Sequence, residues 1–258
     1  MDDTLFHDIA SLPLIDGNQI LISPNTFVTD ALKLMIEHKV QHILVADDLT
    51  FYGVFSLWSL AHHLTIASKA KIEGLLVEEL ISSIPLVNAT DSLHSITGLL
   101  LEHEALLVQT RPGSRSVIKT SDVLLRYHTI AMPFIMLQEI ELALRSIISA
   151  RVAEDLTRFI SKALAYKYAG PEKDLPASLT ELTFDDYRAL IIQKENWHSF
   201  ESVFGKNKDI VSSRLEQVRQ IRNIVFHFRQ KISRSEQITL ESTRNWLQGK
   251  VQRAMAKE

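Results

Sequence analysis

Three side chains that can act on a phosphate group lie within the sequence RNIVFH, near the C-terminal end of the chain: Arg222, Asn223 and His227. At about 100° per residue of a helix, they fall within one arc of roughly 140°. Histidine titrates near neutral pH and can move protons, and the planar arginine fork can bind two phosphate oxygens. Asparagine, one turn before the histidine, can orient the imidazole or hold the phosphate. These residue types suit proton transfer at a phosphodiester without a metal ion.

A long helix, predicted from about Asp209 to Lys231, has to position these side chains. Apolar residues recur along it at three- and four-residue spacing and form a stripe that is predicted to face a helical core. They are Val218, Ile221, Ile224, Val225 and Phe228. Phe226 instead lies on the polar arc with Arg222. A solvated face has little use for a phenylalanine, so we expect a partner to cover this face, and a second copy of the helix is the simplest partner.

The charge of the chain is distributed unevenly. The net charge is −3, yet residues 1–128 contain 8 Lys and Arg against 15 Asp and Glu, and residues 129–258 contain 20 against 16. Much of the positive excess lies in one segment, which contains Lys206, Lys208, Arg214, Arg219, Arg222, Arg229, Lys231 and Arg234 against Asp209 and Glu216. Two interpretations stay open: this segment binds a polyanion such as RNA, or it is a solvated basic face.

The second half of the chain is predicted to be all-α. Beyond His128 to Pro133, apolar residues follow helical spacing and β-branched runs are few. The segment AGPEKDLPASLTELT contains two of the seven prolines and is predicted to be a loop or a short insertion between helices. We expect a bundle of four or five helices over residues 131–258.

The first half alternates predicted strands and helices, and the pattern occurs twice. The segments QHILVADD and FYGVFS are predicted strands, and ALLVQT and SVIK correspond to them at a spacing of about 63 residues. Each pair of strands is followed by a predicted helix. An internal α/β duplication over residues 1–130 is the simplest account, and the fold class is therefore α+β followed by an all-α bundle.

The duplicated half resembles a tandem pair of CBS domains, known as a Bateman pair. The family pattern is a glycine, then a Ser or Thr three residues later, then an aspartate after three more. In GVFSLWS, Gly53 and Ser56 match, but Ser59 replaces the aspartate; in SVIKTSD, Asp122 matches, but Lys119 replaces the hydroxyl residue. The resemblance implies an adenine nucleotide as a regulatory ligand. Ser56 and Lys119 are expected at its phosphates and Asp122 at its ribose hydroxyls. The alternative is a pair that only packs and dimerises.

The helical half resembles the HEPN superfamily, whose signature is an arginine, commonly followed by a polar residue, with a histidine four to six intervening residues later. Arg222, Asn223 and His227 fit this signature. The resemblance implies a homodimer in which two copies of the motif form one cleft. It also implies a metal-independent endoribonuclease that needs no cofactor, with these three residues as the catalytic group and 2′,3′-cyclic phosphate and 5′-hydroxyl ends as products.

Composition removes some function classes. The chain has no cysteine, which excludes a disulfide scaffold, a thiolate nucleophile and a zinc site built from cysteines. No signal peptide and no apolar run of about 18 residues is visible, so we expect a cytoplasmic protein with no membrane partner. Two rivals to the ribonuclease remain. One is a non-catalytic adaptor that senses a nucleotide and binds RNA or protein; the other is a transcription factor that places the basic helix in a DNA groove.

Overall fold

The computed structural model describes residues 9–12, 20–47, 50–66, 72–103, 105–111, 114–169 and 174–256. The chain divides into two compact units, Met1–Tyr127 and His128–Glu258. The first unit contains all the strands among these residues, and the second unit is helical.

The first unit consists of two three-stranded sheets of the same topology. In each sheet the central strand pairs in parallel with the first strand and antiparallel with the third. The first sheet contains β1 (Leu21–Ile22), β2 (His42–Ala46) and β3 (Phe51–Ser56), and the second contains β4 (Leu86–Asn88), β5 (Ala105–Arg111) and β6 (Ser114–Lys119). The helices of this unit are α1 (Val28–His38), α2 (Leu57–Ile66) and α3 (Leu93–Glu102).

The strand registers show that the second sheet repeats the first. His42 pairs with Ser56 in the first sheet, and Ala105 pairs with Lys119 in the second. Both members of the pair are displaced by the same 63 residues. The duplication predicted from the sequence is therefore present in the hydrogen-bonded pairing itself.

Each repeat has its own apolar core, and a third cluster joins them. One core includes Val28 and Phe55, and the other includes Leu93 and Ile118. The third cluster contains buried residues from both sheets, Leu44, Val54 and Leu107, with Phe51, Ile84 and Val117 packed against them. Because apolar faces of both sheets meet, the two repeats form one packed unit.

The second unit has one continuous apolar core. Its helices are the C-terminal part of α4 (Thr120–Val152), then α5 (Leu156–Leu164), α6 (Phe184–Ile192), the single turn α7 (Glu201–Phe204), α8 (Lys208–Phe226) and α9 (Arg234–Met255). Core residues on α4 include Ile140, Leu144 and Ile147, which recur at helical spacing and are fully buried. The prediction of a helical bundle is confirmed in its secondary structure.

The change of character expected near His128 to Pro133 agrees with the division of the chain into units at Tyr127 and His128. The helix α4 continues through this segment and contains Pro133. In the segment predicted to be a loop or a short insertion, Leu179–Glu181 forms a short 3₁₀ helix. Residues 170–173 of that segment lie outside the described residues.

A buried carboxylate cross-links α6 to the turn that follows α5. Asp186 is 1% exposed and accepts hydrogen bonds from Lys167 Nζ at 2.6 Å and from Thr183 Oγ1 at 2.7 Å. Burial raises the pKa of the Asp186 carboxyl, but the hydrogen bonds from Lys167 and Thr183 lower it more, so that the pKa lies below its ordinary value. The ionised form therefore stabilises the folded state.

This pKa direction predicts acid sensitivity. A group with a lowered folded pKa contributes stability above its unfolded pKa, and that contribution is lost as pH falls through the folded pKa. Asp186→Asn is expected to lower the free energy of unfolding at pH 7 by about 1 to 3 kcal/mol and to flatten its acid dependence. Urea unfolding between pH 7 and pH 3 measures both. Asp185→Asn, at an exposed neighbour, should change the free energy of unfolding little. An unaltered acid dependence in Asp186→Asn would contradict the lowered pKa of the Asp186 carboxyl.

Gly53 lies where β3 meets residues 81–82. Its φ is +148°, and a Cβ built there would collide with the Ile81 side chain and lie 2.9 Å from the Ser82 carbonyl oxygen. The same contact carries the hydrogen bond from Val54 N–H to Ser82 O at 3.1 Å.

Gly53→Ala is therefore expected to destabilise the first unit by about 1 to 3 kcal/mol. Gly98→Ala is the matched control, because Gly98 lies inside α3 with open space around it, and alanine there should be neutral or stabilising by up to about 1 kcal/mol. Chemical unfolding of both variants measures the difference. Equal stabilities would show that the close approach at Gly53 is not a constraint.

Candidate functional site

Helix α8 carries the first candidate site, and its rotation is fixed by burial. The helix begins at Asn207, whose side-chain Oδ1 accepts a hydrogen bond from Ile210 N–H at 3.2 Å. One face is buried in the core of the second unit; it consists of Val211, Leu215, Val218, Ile221 and Val225. The opposite side of the last two turns is left for Arg222 and Asn223, which are half-buried.

The end of α8 differs from the sequence prediction. The helix stops at Phe226, His227 is its C-cap, and Phe228 has a left-handed backbone with φ +51°. Phe228 N–H donates to Val225 O at 3.3 Å and Arg229 N–H donates to Ile224 O at 3.2 Å. These two bonds form a Schellman motif, in which the left-handed position is usually glycine.

This end places Phe228 on the surface rather than in the core. The sequence stripe assigned Phe228 to the buried face, but its side chain is 82% exposed. The helical wheel assumed that the helix continues to Lys231, whereas the left-handed residue turns the chain away after Phe226. The prediction for Phe228 was wrong for this reason, and those for Val218, Ile221 and Val225 are confirmed.

Arg222 is held by an aromatic ring. Its guanidinium carbon lies 4.8 Å from the centroid of the Phe226 ring, a cation–π contact. Phe226 in turn meets Phe134 of α4 edge to face at 5.6 Å, and Phe134 also lies 6.5 Å from Phe228. Among the described residues, the buried Nε of Arg222 has no hydrogen-bond partner. The side chain is thus positioned by stacking, while hydrogen-bond donors of its guanidinium stay uncommitted.

The three predicted catalytic residues lie within the last turns of one helix. His227 N–H donates to the carbonyl of Asn223 at 3.3 Å, so the histidine backbone is tied to the asparagine one turn earlier. Five residues of helix rise about 7.5 Å, which is the axial distance from Arg222 to His227. The His227 side chain is exposed, whereas Arg222 and Asn223 are half-buried. The helix places an accessible imidazole beyond a partly shielded guanidinium.

The basic segment divides into paired and unpaired cations. Arg219 forms a bidentate contact with Glu216, at 2.9 and 2.5 Å, and hydrogen bonds from Arg219 lower the pKa of the Glu216 carboxyl. Arg214 stacks on Trp246 at 5.1 Å. Residues 217–235 contain no Asp or Glu. Within this segment, the cations from Arg222 onward therefore have no acidic residue close to them in sequence before Glu236.

The second candidate site consists of the two corners where a strand opens a helix in the first unit. At the end of β3, Ser56 N–H donates to Ser59 Oγ at 3.1 Å and Ser59 N–H donates to Ser56 Oγ at 3.0 Å. At the end of β6, Lys119 N–H donates to an oxygen of Asp122 at 2.9 Å. Ser59 and Asp122 therefore make the same backbone contact in the two repeats. The serine replaces the aspartate in building the corner but brings no negative charge.

The predicted ligand-binding residues belong to these two different corners. Ser56 is 4% exposed at the end of β3, and its hydroxyl oxygen is engaged by Ser59. Lys119 and Asp122 are half-buried at the end of β6 and the start of α4. Beside the first corner is a cavity of about 380 Å³, lined by α2 and residues 79–82: Trp58, Ser59, His62, His63, Ile66, Glu79, Leu80, Ile81 and Ser82.

Two further properties bear on the kind of protein. Within the described ranges, no group of three or more His, Asp or Glu side chains is arranged to hold a metal ion. None of the helices in the same part of the chain is long and apolar enough to cross a membrane.

The comparisons with known proteins bear on the first unit. Residues 18–66 match the CBS domain family, so the predicted CBS domain is confirmed for the first repeat. The second sheet repeats that topology, and the N-terminal unit has the fold of a CBS pair. No curated protein sequence matches the chain.

Several solved structures are similar to about half of the chain. CBSX2, a CBS-pair protein from Arabidopsis thaliana, is 25% identical over 49% of this chain and 98% of its own, with a TM-score of 0.41. CBSX2 in complex with AMP is 28% identical over 47% of this chain and 96% of its own, with a TM-score of 0.39. A conserved CBS domain protein of unknown function from Thermoplasma acidophilum is 24% identical over 47% of this chain and 69% of its own, with a TM-score of 0.42.

Sequence reasoning missed two residues of the α8 surface, Phe134 and Phe228. Phe134 lies in a helical segment that looked like ordinary core, and no glycine or asparagine marks Phe228 as a helix end. One signal was present downstream. Ser233 accepts from Glu236 N–H and its own N–H donates to the Glu236 carboxylate, a capping box that starts α9. A helix that starts at Arg234 requires the previous one to end before it.

Proposed function

We propose that the chain is a metal-independent endoribonuclease of the HEPN type, with Arg222, Asn223 and His227 as its catalytic group. One observation carries the proposal: an exposed histidine stands at the end of α8, beyond an arginine that a phenylalanine ring holds in place. The cations of residues 217–235, a segment with no Asp or Glu, support an RNA substrate, because they would attract a polyanion.

The proposed reaction is an internal transfer at the phosphodiester. The 2′-hydroxyl oxygen of RNA forms a bond to phosphorus, and the bond from phosphorus to the 5′-oxygen breaks. His227 takes the proton from the 2′-hydroxyl as general base. Arg222 binds the phosphate oxygens while negative charge accumulates on them, and Asn223 orients the substrate or the imidazole. The leaving 5′-oxygen gains a proton from an imidazolium, which a second copy of the site in a homodimer would supply.

We further propose that an adenine nucleotide regulates this activity from the second corner of the CBS pair. Asp122 would accept hydrogen bonds from ribose hydroxyls, and Lys119 would interact with phosphate. Ser56, at the first corner, would serve a phosphate only by exchanging its bond with Ser59. Regulation requires that the nucleotide bind two states of the protein with different affinity, because only then does it shift their populations.

The ribonuclease is tested with purified full-length protein, a mixed RNA pool and excess chelator. Wild type is expected to produce fragments with 2′,3′-cyclic phosphate and 5′-hydroxyl ends. His227→Ala is expected to reduce cleavage at least a hundredfold, because general acid–base catalysis typically contributes about 10²- to 10⁴-fold. His198→Ala is the control, since His198 is an exposed histidine of the same unit outside the motif.

The binding of RNA separates the enzyme from its main rival. If wild type and His227→Ala bind RNA equally and neither cleaves it, with or without adenine nucleotides, the chain is an adaptor and the ribonuclease proposal is wrong. Loss of both binding and folding in His227→Ala would be visible by circular dichroism, and His227→Gln then provides the second variant.

The nucleotide site is tested by a substitution that the chain itself provides. Asp122→Ser copies the serine that builds the corresponding corner of the first repeat, so the corner should survive while the carboxylate is lost. We expect at least a tenfold loss of AMP, ADP or ATP affinity by calorimetry, since hydrogen bonds to charged groups contribute about 1.5 to 3 kcal/mol.

Asp91→Ser is the matched control for this substitution. Asp91 also accepts a backbone hydrogen bond from the residue three positions earlier, Asn88 N–H at 2.9 Å, but it lies in the turn between β4 and α3 rather than at the corner where β6 opens α4. Its replacement should leave nucleotide affinity unchanged. If wild type binds none of the three nucleotides, the sensing proposal fails while the ribonuclease test is unaffected.

A further inference from the structure

The end of α8 carries an exposed aromatic surface, of which the catalytic scheme uses only Phe226, as the ring that holds Arg222. It consists of Phe228, 82% exposed, Phe226, 46% exposed, and the half-buried Phe134, which lies against both rings. We name these three residues the phenylalanine cluster. Phe228 follows His227 directly, so its Cα lies about 3.8 Å from that of the histidine. The Phe228 ring and the His227 imidazole therefore leave the backbone at neighbouring positions of the helix end.

The backbone at Phe228 does not favour a phenylalanine. A φ of +51° suits glycine or asparagine, and a bulky side chain there is unfavourable in the folded state. An 82% exposed ring recovers little of this cost by burial. The stability of the helix end therefore gives no reason for a phenylalanine at this position, and its exposed ring face remains to be explained.

The surroundings of the cluster indicate what kind of molecule the ring meets. The neighbouring cations include Arg222, which stacks on Phe226, and Arg229 and Lys231, which are exposed. The absence of Asp and Glu from residues 217–235 leaves this charge uncompensated within the segment. Aromatic faces beside cations are the means by which proteins bind single-stranded nucleic acid, with bases on the rings and phosphates on the cations.

We propose that Phe228 is a stacking platform for an unpaired base beside the scissile phosphate, and that the substrate class is single-stranded RNA. This inference rests on the proposed function for the reaction but on the aromatic surface for the substrate. Bases inside a duplex are paired and stacked on each other, so they have no free face for the ring. The phosphate next to a base stacked on Phe228 reaches Arg222 and His227.

The test measures binding separately from cleavage. His227→Ala protein, which keeps RNA intact, is titrated with a labelled single-stranded oligoribonucleotide and with its duplex, by fluorescence anisotropy at fixed salt. Adding Phe228→Leu, which keeps an apolar side chain but removes the aromatic face, is expected to weaken single-strand binding roughly tenfold. Adding Phe228→Trp is expected to retain or strengthen it. Duplex binding should be weaker and equal in all three proteins.

Phe228→Gly guards against a folding artefact. Glycine suits the left-handed backbone, so this variant is expected to unfold at a temperature at least as high as the parent while losing single-strand affinity. Equal single-strand affinity in the Leu, Trp and parent proteins would overturn the platform. A change of oligomeric state in Phe228→Leu, by sedimentation, with unchanged RNA affinity would also overturn it, because the ring would then contact a second protein copy.

The outcomes distinguish this inference from the proposed function. Suppose that wild type cleaves no RNA, while single-strand affinity falls in Phe228→Leu and Phe228→Gly and is retained in Phe228→Trp. The stacking platform is then supported and the ribonuclease proposal is wrong. If cleavage occurs with the expected ends but single strands and duplexes are cut equally by wild type and Phe228→Leu, the ribonuclease stands and the platform fails.

Discussion

The burial of Val218, Ile221 and Val225 sets the rotation of α8 about its axis, and the candidate site takes its geometry from that packing. Burying these side chains contributes about 1.5 to 3 kcal/mol each, far more than any surface contact of the site. With the rotation set, Arg222 and Asn223 come to the side away from the stripe. The Schellman end at Phe228 then decides how far His227 extends beyond them. Core packing and one helix end together place the side chains of the candidate site.

The two repeats of the first unit form the same backbone corner with two chemically different side chains. Both strand–helix corners need an acceptor for the backbone N–H three residues earlier, and Ser59 and Asp122 both provide it. A hydroxyl does this without charge, whereas a carboxylate also has oxygens left for a further partner. The backbone of the corner is therefore the same with serine or aspartate. Only the aspartate has carboxylate oxygens left to accept hydrogen bonds from hydroxyl groups. The CBS family match lies on the repeat that has the serine, and the carboxylate lies on the other.

Much of the fold was predictable because periodic burial leaves a pattern in the sequence. The spacing of the two repeats followed from the strands, and the buried stripe of α8 from its apolar residues. The ends of elements were harder. Pro133 lies inside α4, and the buried residues Met136, Leu137 and Ile140 that follow it belong to the same helix. The end of α8 has no glycine, so only the capping box of α9 indicated it. At Pro133, tertiary packing overrides local preference.

The contrast between Arg219 and Arg222 explains why only one of two neighbouring arginines suits a phosphate. Arg219 already donates to the Glu216 carboxylate through two nitrogens and lies 3.6 Å from Asp185, so a phosphate would have to displace one anion to bind. Arg222 is held by the face of Phe226, and a ring face orders a guanidinium without using its in-plane donors. Its charge is retained, its conformational entropy is partly lost before any ligand arrives, and the ring does not use its in-plane donors. A phenylalanine under the arginine therefore prepares it for a phosphate better than a carboxylate would.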